Sequence, residues 1–456
     1  MPNQFTPRIV LRFPGAAGFF AWLRYAPSLQ WLGNRQTYAI GVLIVTGLSV
    51  GCSLVAPRIL GPTAFGTFTL LSSLFLYASK TDLGLSQLAD RTLALGNSAP
   101  ADGAADFLRA RLMIGFAILG GIMPVAMGIV GFTGSLSVLD TALAIGAGVA
   151  FMIGNGPVTV FRALSKVWEF TATALLLQIG MTAPRLAGLV LGGVTGYFIA
   201  LSLWYGPLAA LLAYFLPLRV ANSVRILSLV RLSLPLFVFN AFWELYLSGN
   251  RWISAGVSTS ENFGLFAFGA NLALTGIGMI ATIAQIRYPN VLAQIGKHSA
   301  SDSSIVVERE IRFLCLAISL CAAVGVILTG PMIQFIFPLY ERSAPATRAL
   351  AVSCVPLGVV AAIMPIVISL SSRPLVHAIR LFLPAFLILL GGMTVANWMD
   401  SITGQAWACT AAGLALFVNV VALDYSLGII KIRTAIRVIA LQSAAIVSLA
   451  GFTLVL

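Results

Sequence analysis

Long apolar segments alternate with short polar connections along almost the whole chain. A hydrocarbon core of about 30 Å is crossed by roughly 20 consecutive apolar residues in an α-helix. The pattern predicts thirteen spanning helices, near 38–57, 65–81, 112–132, 137–159, 170–191, 195–217, 232–253, 263–286, 312–337, 347–371, 375–396, 404–426 and 436–456. Ten-residue segments of alternating hydrophobicity, typical of a membrane β-barrel, do not occur. The predicted fold class is therefore an all-α polytopic membrane protein.

The composition excludes two other classes of protein. Apolar residues make up 59% of the chain and charged residues only 9%, whereas a soluble domain is about 25% charged. A soluble globule could not cover its surface with so few charges, and a disordered chain requires low hydrophobicity. The chain has a net charge of +13. The placement of its basic residues is explained by membrane topology, so no nucleic-acid partner is predicted.

The basic residues predict the orientation. Lys and Arg concentrate in cytoplasmic loops, and with a cytoplasmic amino terminus all but five of the 27 lie on the inner side. The five exceptions are Arg58, Arg185, Arg251, Arg342 and Arg348. Residues 1–37 combine arginine with aromatic residues, which favours either an element on an anionic leaflet or a disordered tail.

An internal repeat predicts two similar halves. Thr63–Phe68 opens the second predicted span and Glu261–Phe266 opens the eighth, and both contain Phe-Gly. Six spans separate the copies, so the halves have the same orientation and a pseudo-two-fold axis along the membrane normal. The predicted units are a six-helix bundle at 38–217, a basic linker at 218–231, a second six-helix bundle at 232–430 and an extra carboxy-terminal helix at 431–456.

Charged residues inside spans are expected to face a polar lumen rather than lipid. Arg185 shares a predicted helical face with Gln178 and Thr182. Glu244 lies between Asn240 and Arg251 on the seventh span.

Two further charges lie at the ends of spans, and Arg185 has a second interpretation. Arg58 ends the first span on the outer side, and Asp424 ends the twelfth on the inner side. An internal salt bridge between Arg185 and Glu244 is the structural alternative to a role in a lumen.

No catalytic or metal-binding pattern stands out. The five cysteines lie in apolar segments without a Cys-x-x-Cys pair, and no phosphate-binding loop is present. No metal, cofactor or catalytic residue is therefore predicted. The predicted outer loops are too short for a catalytic domain: Gly134–Leu136, Gly192–Val194 and Pro338–Pro345.

Three motifs resemble the polysaccharide transporter (oligosaccharide flippase) family of the multidrug/oligosaccharidyl-lipid/polysaccharide exporter superfamily. The similarity extends over residues 38–430, and the family often has an acidic residue where this chain has Asn250. The motifs are Arg58-Ile59-Leu60-Gly61-Pro62-Thr63-Ala64-Phe65-Gly66, Asp82-Leu83-Gly84-Leu85 before Arg91, and Phe263-Gly264-Leu265-Phe266 with Ala270 and Tyr288-Pro289.

This resemblance implies a non-enzymatic flippase of the bacterial inner membrane. Its substrate would be an undecaprenyl-diphosphate-linked oligosaccharide for O-antigen, capsule or exopolysaccharide synthesis. Membrane lipids, a polysaccharide polymerase and a chain-length regulator would be its other partners. The alternatives are a cation-coupled multidrug exporter of the same superfamily and a membrane oligosaccharide polymerase.

The implied substrate suggests a role for each charged or polar residue in the spans. Arg185, Arg251 and Arg58 would attract the diphosphate, with Gln178 and Asn240 beside them in the lumen. Glu244 and Asp424 would couple transport to an ion gradient.

Overall fold

The computed structural model describes residues 35–95, 101–133, 136–164, 166–216, 223–295, 300–370, 373–426 and 432–455. These residues are almost entirely helical, and no β-strand occurs among them. The two shorter elements are a π-helical turn, Ile118–Ile122, and a 3-10 helix, Pro338–Ser343. The α-helices of the described ranges are α1 Arg35–Lys80, α2 Leu85–Leu95, α3 Ala101–Ala117, α4 Met123–Thr133, α5 Val138–Gly154, α6 Gly156–Ala163, α7 Val167–Gly180, α8 Ala183–Phe215, α9 Ser223–Val257, α10 Ser260–Ile295, α11 Ala300–Ile336, α12 Ala344–Leu370, α13 Pro374–Trp398, α14 Ile402–Ser426 and α15 Ile432–Val455. The all-α prediction is confirmed.

Within these ranges, 11 helical segments are long and apolar enough to cross a membrane. They account for the thirteen predicted spans because two of the segments contain two predicted spans each. The breaks lie at Gly61 in α1 (φ 68°, ψ 171°) and at Gly193 in α8 (φ 59°, ψ −141°). Glycine adopts positive φ without the steric penalty that a Cβ would bring. The break positions agree with the predicted connections between spans.

The chain divides into two compact units. The first unit contains the described residues up to Cys52 together with Leu74–Phe237, and the second contains Ser53–Ser73 and the residues from Val238 onward. Helix α1 therefore contributes its middle part to the second unit and its two ends to the first.

The core of the first unit forms around α5, which packs against α8. Ala144, Ala147 and Val149 of α5 are fully buried. Gly148 permits close packing, since a Cβ at this position would lie 2.5 Å from the carbonyl oxygen of Phe75. A backbone contact this short fixes the end of α1 against α5.

The core of the second unit forms around α12. This helix packs against α10, α11 and α14, and its Val352, Val355 and Val359 are fully buried. Other helices of this unit have exposed apolar residues, as Phe335 of α11 at 85% and Trp398 of α13 at 88% exposure illustrate. A surface of this kind is suited to lipid rather than to water.

Two predicted segments are only partly described. Of the basic and aromatic segment 1–37, only residues 35–37 are described, and they begin α1. Of the linker 218–231, residues 223–231 form the first turns of α9. The boundaries 38–217, 232–430 and 431–456 remain predictions.

Candidate functional site

Arg185 is a buried cation within the first unit. Its side chain is 6% exposed and lies in the first turn of α8. One guanidinium nitrogen donates to the Ser49 hydroxyl at 3.0 Å and also to the Ser49 carbonyl oxygen. The other donates to the Tyr197 hydroxyl at 3.5 Å. Arg185 thus lies among hydroxyl groups inside an apolar segment.

The fold of α8 explains the contact between Arg185 and Tyr197. The helix breaks at Gly193 and folds back, so that a Cβ on Gly188 would lie 2.3 Å from the carbonyl oxygen of Gly196. Only glycine permits this backbone contact. The two halves of the helix therefore bring residues 185 and 197 to the same level.

Gln178 does not share a continuous helix with Arg185, contrary to the sequence analysis. The helix ends at Gly180, and Thr182 has non-helical angles (φ −120°, ψ −115°). Pro184 lies in the first turn of α8, where a proline is tolerated because its missing N–H would have no helical partner. Gln178 is half-buried one turn before this break. Helical spacing therefore does not place Gln178 and Arg185 on one face.

Arg251 is buried in the second unit. It is 3% exposed and donates to the hydroxyl of Ser73 at 3.2 Å. The guanidinium group of Arg251 therefore contacts α1 and does not extend along α9 to the end of that helix. Arg58, in contrast, is exposed just after the carboxy-terminal end of the first predicted span.

The carboxy-terminal half of α9 has a polar face toward α14 that the sequence analysis missed. Ser254 donates to Gln405 at 2.8 Å, and Gln405 donates to Ser258 at 2.9 Å. The Asn250 amide contacts the Cys409 sulfur at 3.7 Å. Asn250, Ser254 and Ser258 are spaced four residues apart on α9, and Gln405 and Cys409 are spaced four apart on α14. Residues with this spacing share a helix face, so the sequence did contain a signal for the two contacting faces.

Asn250 also lines a cavity of about 20 Å³ in the second unit. Its buried carbonyl oxygen has no hydrogen-bond partner among the described residues. The cavity is large enough for roughly one water molecule. It is therefore too small for a sugar or a drug.

Glu244 and Asn240 lie on α9 and are both half-buried. The backbone carbonyl of Glu244 accepts a hydrogen bond from Ser248. The structure thus keeps the predicted polar positions of the seventh span together on one continuous helix.

Asp424 is fully buried near the end of α14. Neither carboxylate oxygen has a hydrogen-bond partner among the described residues. An ionised carboxylate buried in this way costs several kcal/mol unless it is paired. Asp424 is thus a group that a proton or a cation would stabilise.

A buried ion pair lies near the end of α1 in the first unit. Arg111 lies 3.3 Å from the Asp82 carboxylate and donates to Thr159 at 3.3 Å. The same carboxylate accepts the backbone N–H groups of Gly84 and Ser86, which caps α2. The Asp-Leu-Gly-Leu motif therefore has a structural role here.

The two copies of the repeat contact each other within the second unit. A Cβ on Gly264 would lie 2.0 Å from the Pro62 carbonyl oxygen, and a Cβ on Gly66 would lie 2.9 Å from the Phe263 ring. Next to this contact, Phe65 packs edge-on against Tyr340 at 6.1 Å. The Tyr340 hydroxyl donates to Pro57 at 3.1 Å. The glycines of the repeat thus permit a helix crossing that larger residues would prevent.

Known proteins resemble this chain in fold but not in sequence. No protein-family model and no curated protein matches it. A variant of the Vibrio cholerae MATE transporter VcmN superposes with a TM-score of 0.62 and 14% identity, over 86% of this chain and 98% of its own. The lipid II flippase MurJ, in an inward closed conformation, superposes with a TM-score of 0.59 and 12% identity, over 92% of each chain.

A third structure is an inward-facing multidrug resistance MATE transporter of the MOP superfamily. Its TM-score is 0.52 with 15% identity, over 94% of this chain and 97% of its own. At such identities the similarity shows the fold alone. The chain has the helical fold shared by MATE transporters and a lipid II flippase.

Proposed function

We propose that this chain is a flippase that moves an undecaprenyl-diphosphate-linked oligosaccharide across the bacterial inner membrane by alternating access. The product would serve O-antigen, capsule or exopolysaccharide synthesis. The observation that supports this proposal is the buried Arg185, a cation inside a transporter-like fold. A polymerase and a chain-length regulator would act beside it, and its amino terminus would be cytoplasmic.

The substrate determines what the protein must supply. The prenyl tail can remain in lipid, but the diphosphate and the sugar cannot. A single charge at the bilayer centre costs about 2.5–3.5 kcal/mol on insertion scales. Arginine keeps its positive charge at any physiological pH and matches phosphate oxygens with two parallel N–H groups. Arg185 would therefore stabilise the diphosphate during its passage.

The other polar residues complete the proposed path. Arg251 and Arg58 would attract the diphosphate toward the outer side, and Gln178 and Asn240 would hydrogen-bond to sugar hydroxyls. Glu244 and Asp424 would bind the coupling proton or sodium ion, with Asp424 favoured by its burial without a hydrogen-bond partner.

The test is translocation of a fluorescent prenyl-diphosphate-linked oligosaccharide in proteoliposomes. Arg185→Ala removes the cation, and we expect it to reduce the rate at least tenfold, which corresponds to about 1.4 kcal/mol. Arg185→Lys retains the charge without the paired N–H groups and is expected to keep part of the rate. The matched control is Arg342→Ala, because Arg342 is 71% exposed and pairs with Glu261 on the surface.

Two results would contradict the proposal. One is a full translocation rate in Arg185→Ala. The other is an equal loss in Arg185→Ala and Arg185→Lys together with lower thermal stability, which would make Arg185 a structural residue.

The second candidate is a cation-coupled multidrug exporter. It is supported by the MATE transporters of the same fold and by Glu244 and Asp424, which are acidic residues in spans. Efflux of a cationic dye without any movement of the prenyl-linked oligosaccharide would favour it. A membrane polymerase is the third candidate, and formation of longer glycans by the purified protein would identify it.

A further inference from the structure

A basic cleft opens between α11 and α15, apart from the residues assigned to the transport path. Its volume is about 480 Å³. It is lined by Glu308, Arg312, Ile432, Arg433, Thr434 and Arg437. All of these residues belong to the second unit.

The cleft carries excess positive charge. Among the described residues that line it, three are arginines and Glu308 is the one acidic residue. Glu308 pairs with Arg312 at 3.7 Å, and the Arg312 side chain remains 50% exposed. Arg433 and Arg437 are exposed in the first turns of α15. The cleft is therefore suited to an anion.

The end of α15 adds to this preference. The first N–H groups of a helix have no partner within it, and its dipole places partial positive charge at that end. Residues 433 and 434 lie in this first turn. The first turn of α15 and arginines from two helices thus line the same cleft.

Exposed apolar residues continue from the cleft along both helices. Arg312, Leu316 and Leu320 follow at intervals of four on α11, and both leucines are exposed. Arg437 and the exposed Leu441 repeat the pattern on α15. Residues four apart share a helix face. Each helix therefore has a cationic position followed by an apolar track.

The two helices are held together below the cleft. Ala322 and Val326 of α11 pack with Ile446 and Leu449 of α15. The arginines of the cleft are therefore carried by two helices that pack against each other in the second unit.

We infer that this cleft binds the headgroup phosphate of an anionic phospholipid, with an acyl chain along the leucine tracks. A soluble phosphate compound would need the arginines but not the exposed apolar continuation. Basic pockets between helices on the predicted cytoplasmic side bind anionic lipid headgroups in other membrane proteins. The site would be separate from the transported substrate.

The experiment measures binding of phosphatidylglycerol and phosphatidylcholine to the full-length protein in detergent by native mass spectrometry. We expect phosphatidylglycerol to bind in preference to phosphatidylcholine. The double variant Arg433→Ala/Arg437→Ala should weaken phosphatidylglycerol binding roughly 30-fold, since each basic residue contributes about 1 kcal/mol. Arg433→Lys/Arg437→Lys should bind more tightly than the alanine pair. The matched control is Arg373→Ala/Arg380→Ala, which removes two exposed arginines near the start of α13, outside the cleft.

Three results would overturn the inference. They are equal binding of both lipids, an equal loss in the control pair, and full displacement of phosphatidylglycerol by inorganic phosphate or glycerol phosphate, which would show a site for soluble phosphate. Thermal stability in detergent without added lipid identifies a variant that is merely misfolded. If the alanine pair is unstable, Leu316→Glu on the apolar track provides the second variant, and unchanged binding in it would also reject the lipid.

Discussion

At the residue scale, buried charges in the spans differ in how the protein compensates them. Arg111 and Asp82 form an ion pair in the first unit, and Arg251 donates to Ser73 in the second. Asp424 is fully buried without a hydrogen-bond partner among the described residues. Such a group is costly to ionise. The proposed role in ion coupling would give this burial a function.

Asp424→Asn tests this interpretation. The asparagine has nearly the same shape and cannot ionise, so we expect thermal stability in detergent to be unchanged or higher. Translocation should lose its dependence on the proton or sodium gradient. The measurements are a melting curve and the translocation rate with and without each gradient.

The control for this prediction is Asp400→Asn. Asp400 is exposed in the turn before α14 and has a φ of 50°, which asparagine also tolerates. A gradient dependence retained in Asp424→Asn, or lost equally in Asp400→Asn, would remove Asp424 from the coupling mechanism.

At the element scale, glycines decide where helices break and where they cross. Gly61 and Gly193 break two long helices, and Gly188 packs against Gly196. The crossing of the repeats depends on Gly264, whose Cα lies close to the backbone of Pro62. We predict that the proposed alternating access separates this contact once in each cycle.

Gly264→Ala should favour separation of this crossing. The added Cβ would lie 2.0 Å from a backbone oxygen, and overpacking costs about 1–3 kcal/mol. We expect thiol labelling of Ala267→Cys to increase roughly tenfold, which corresponds to about 1.4 kcal/mol. Ala267 is fully buried on α10, and the five native cysteines would be replaced by alanine.

Gly278→Ala is the control on the same helix, since a Cβ at that position meets nothing within 4 Å. Unchanged labelling in a stable Gly264→Ala protein would show that this crossing does not open. A rise in labelling in both variants would indicate a general loosening of α10.

At the scale of the whole molecule, the distribution of basic residues predicts the orientation in the membrane. Leu339, in the 3-10 helix after α11, is 65% exposed, and Ile432, at the start of α15, is 52% exposed. The positive-inside rule places Leu339 outside and Ile432 inside. An impermeant thiol reagent should label Leu339→Cys in intact cells and Ile432→Cys only after permeabilisation. The opposite pattern would reverse the orientation and the assigned direction of transport.

The sequence determined the fold class and the positions of the spans. Crossing a bilayer imposes a minimum length of apolar helix, which is a local property that can be counted along the chain. The breaks between the first and second spans and between the fifth and sixth spans were also predictable from local sequence, because each contains a glycine, Gly61 or Gly193. The fold is similar to that of a MATE transporter and a lipid II flippase, and membership of the polysaccharide transporter family remains a prediction.

Only the tertiary structure decided what each polar residue contacts. Arg185 was identified from its charge, but its contacts with Ser49 and Tyr197 depend on the folding back of α8. The Ser254–Gln405 contact joins residues far apart in the chain. Hydropathy and helical periodicity describe the environment of one helix. The partner of a buried charge depends on which helices pack together. That packing is set by the fit between side chains that are far apart in the sequence, which a local sequence pattern does not contain.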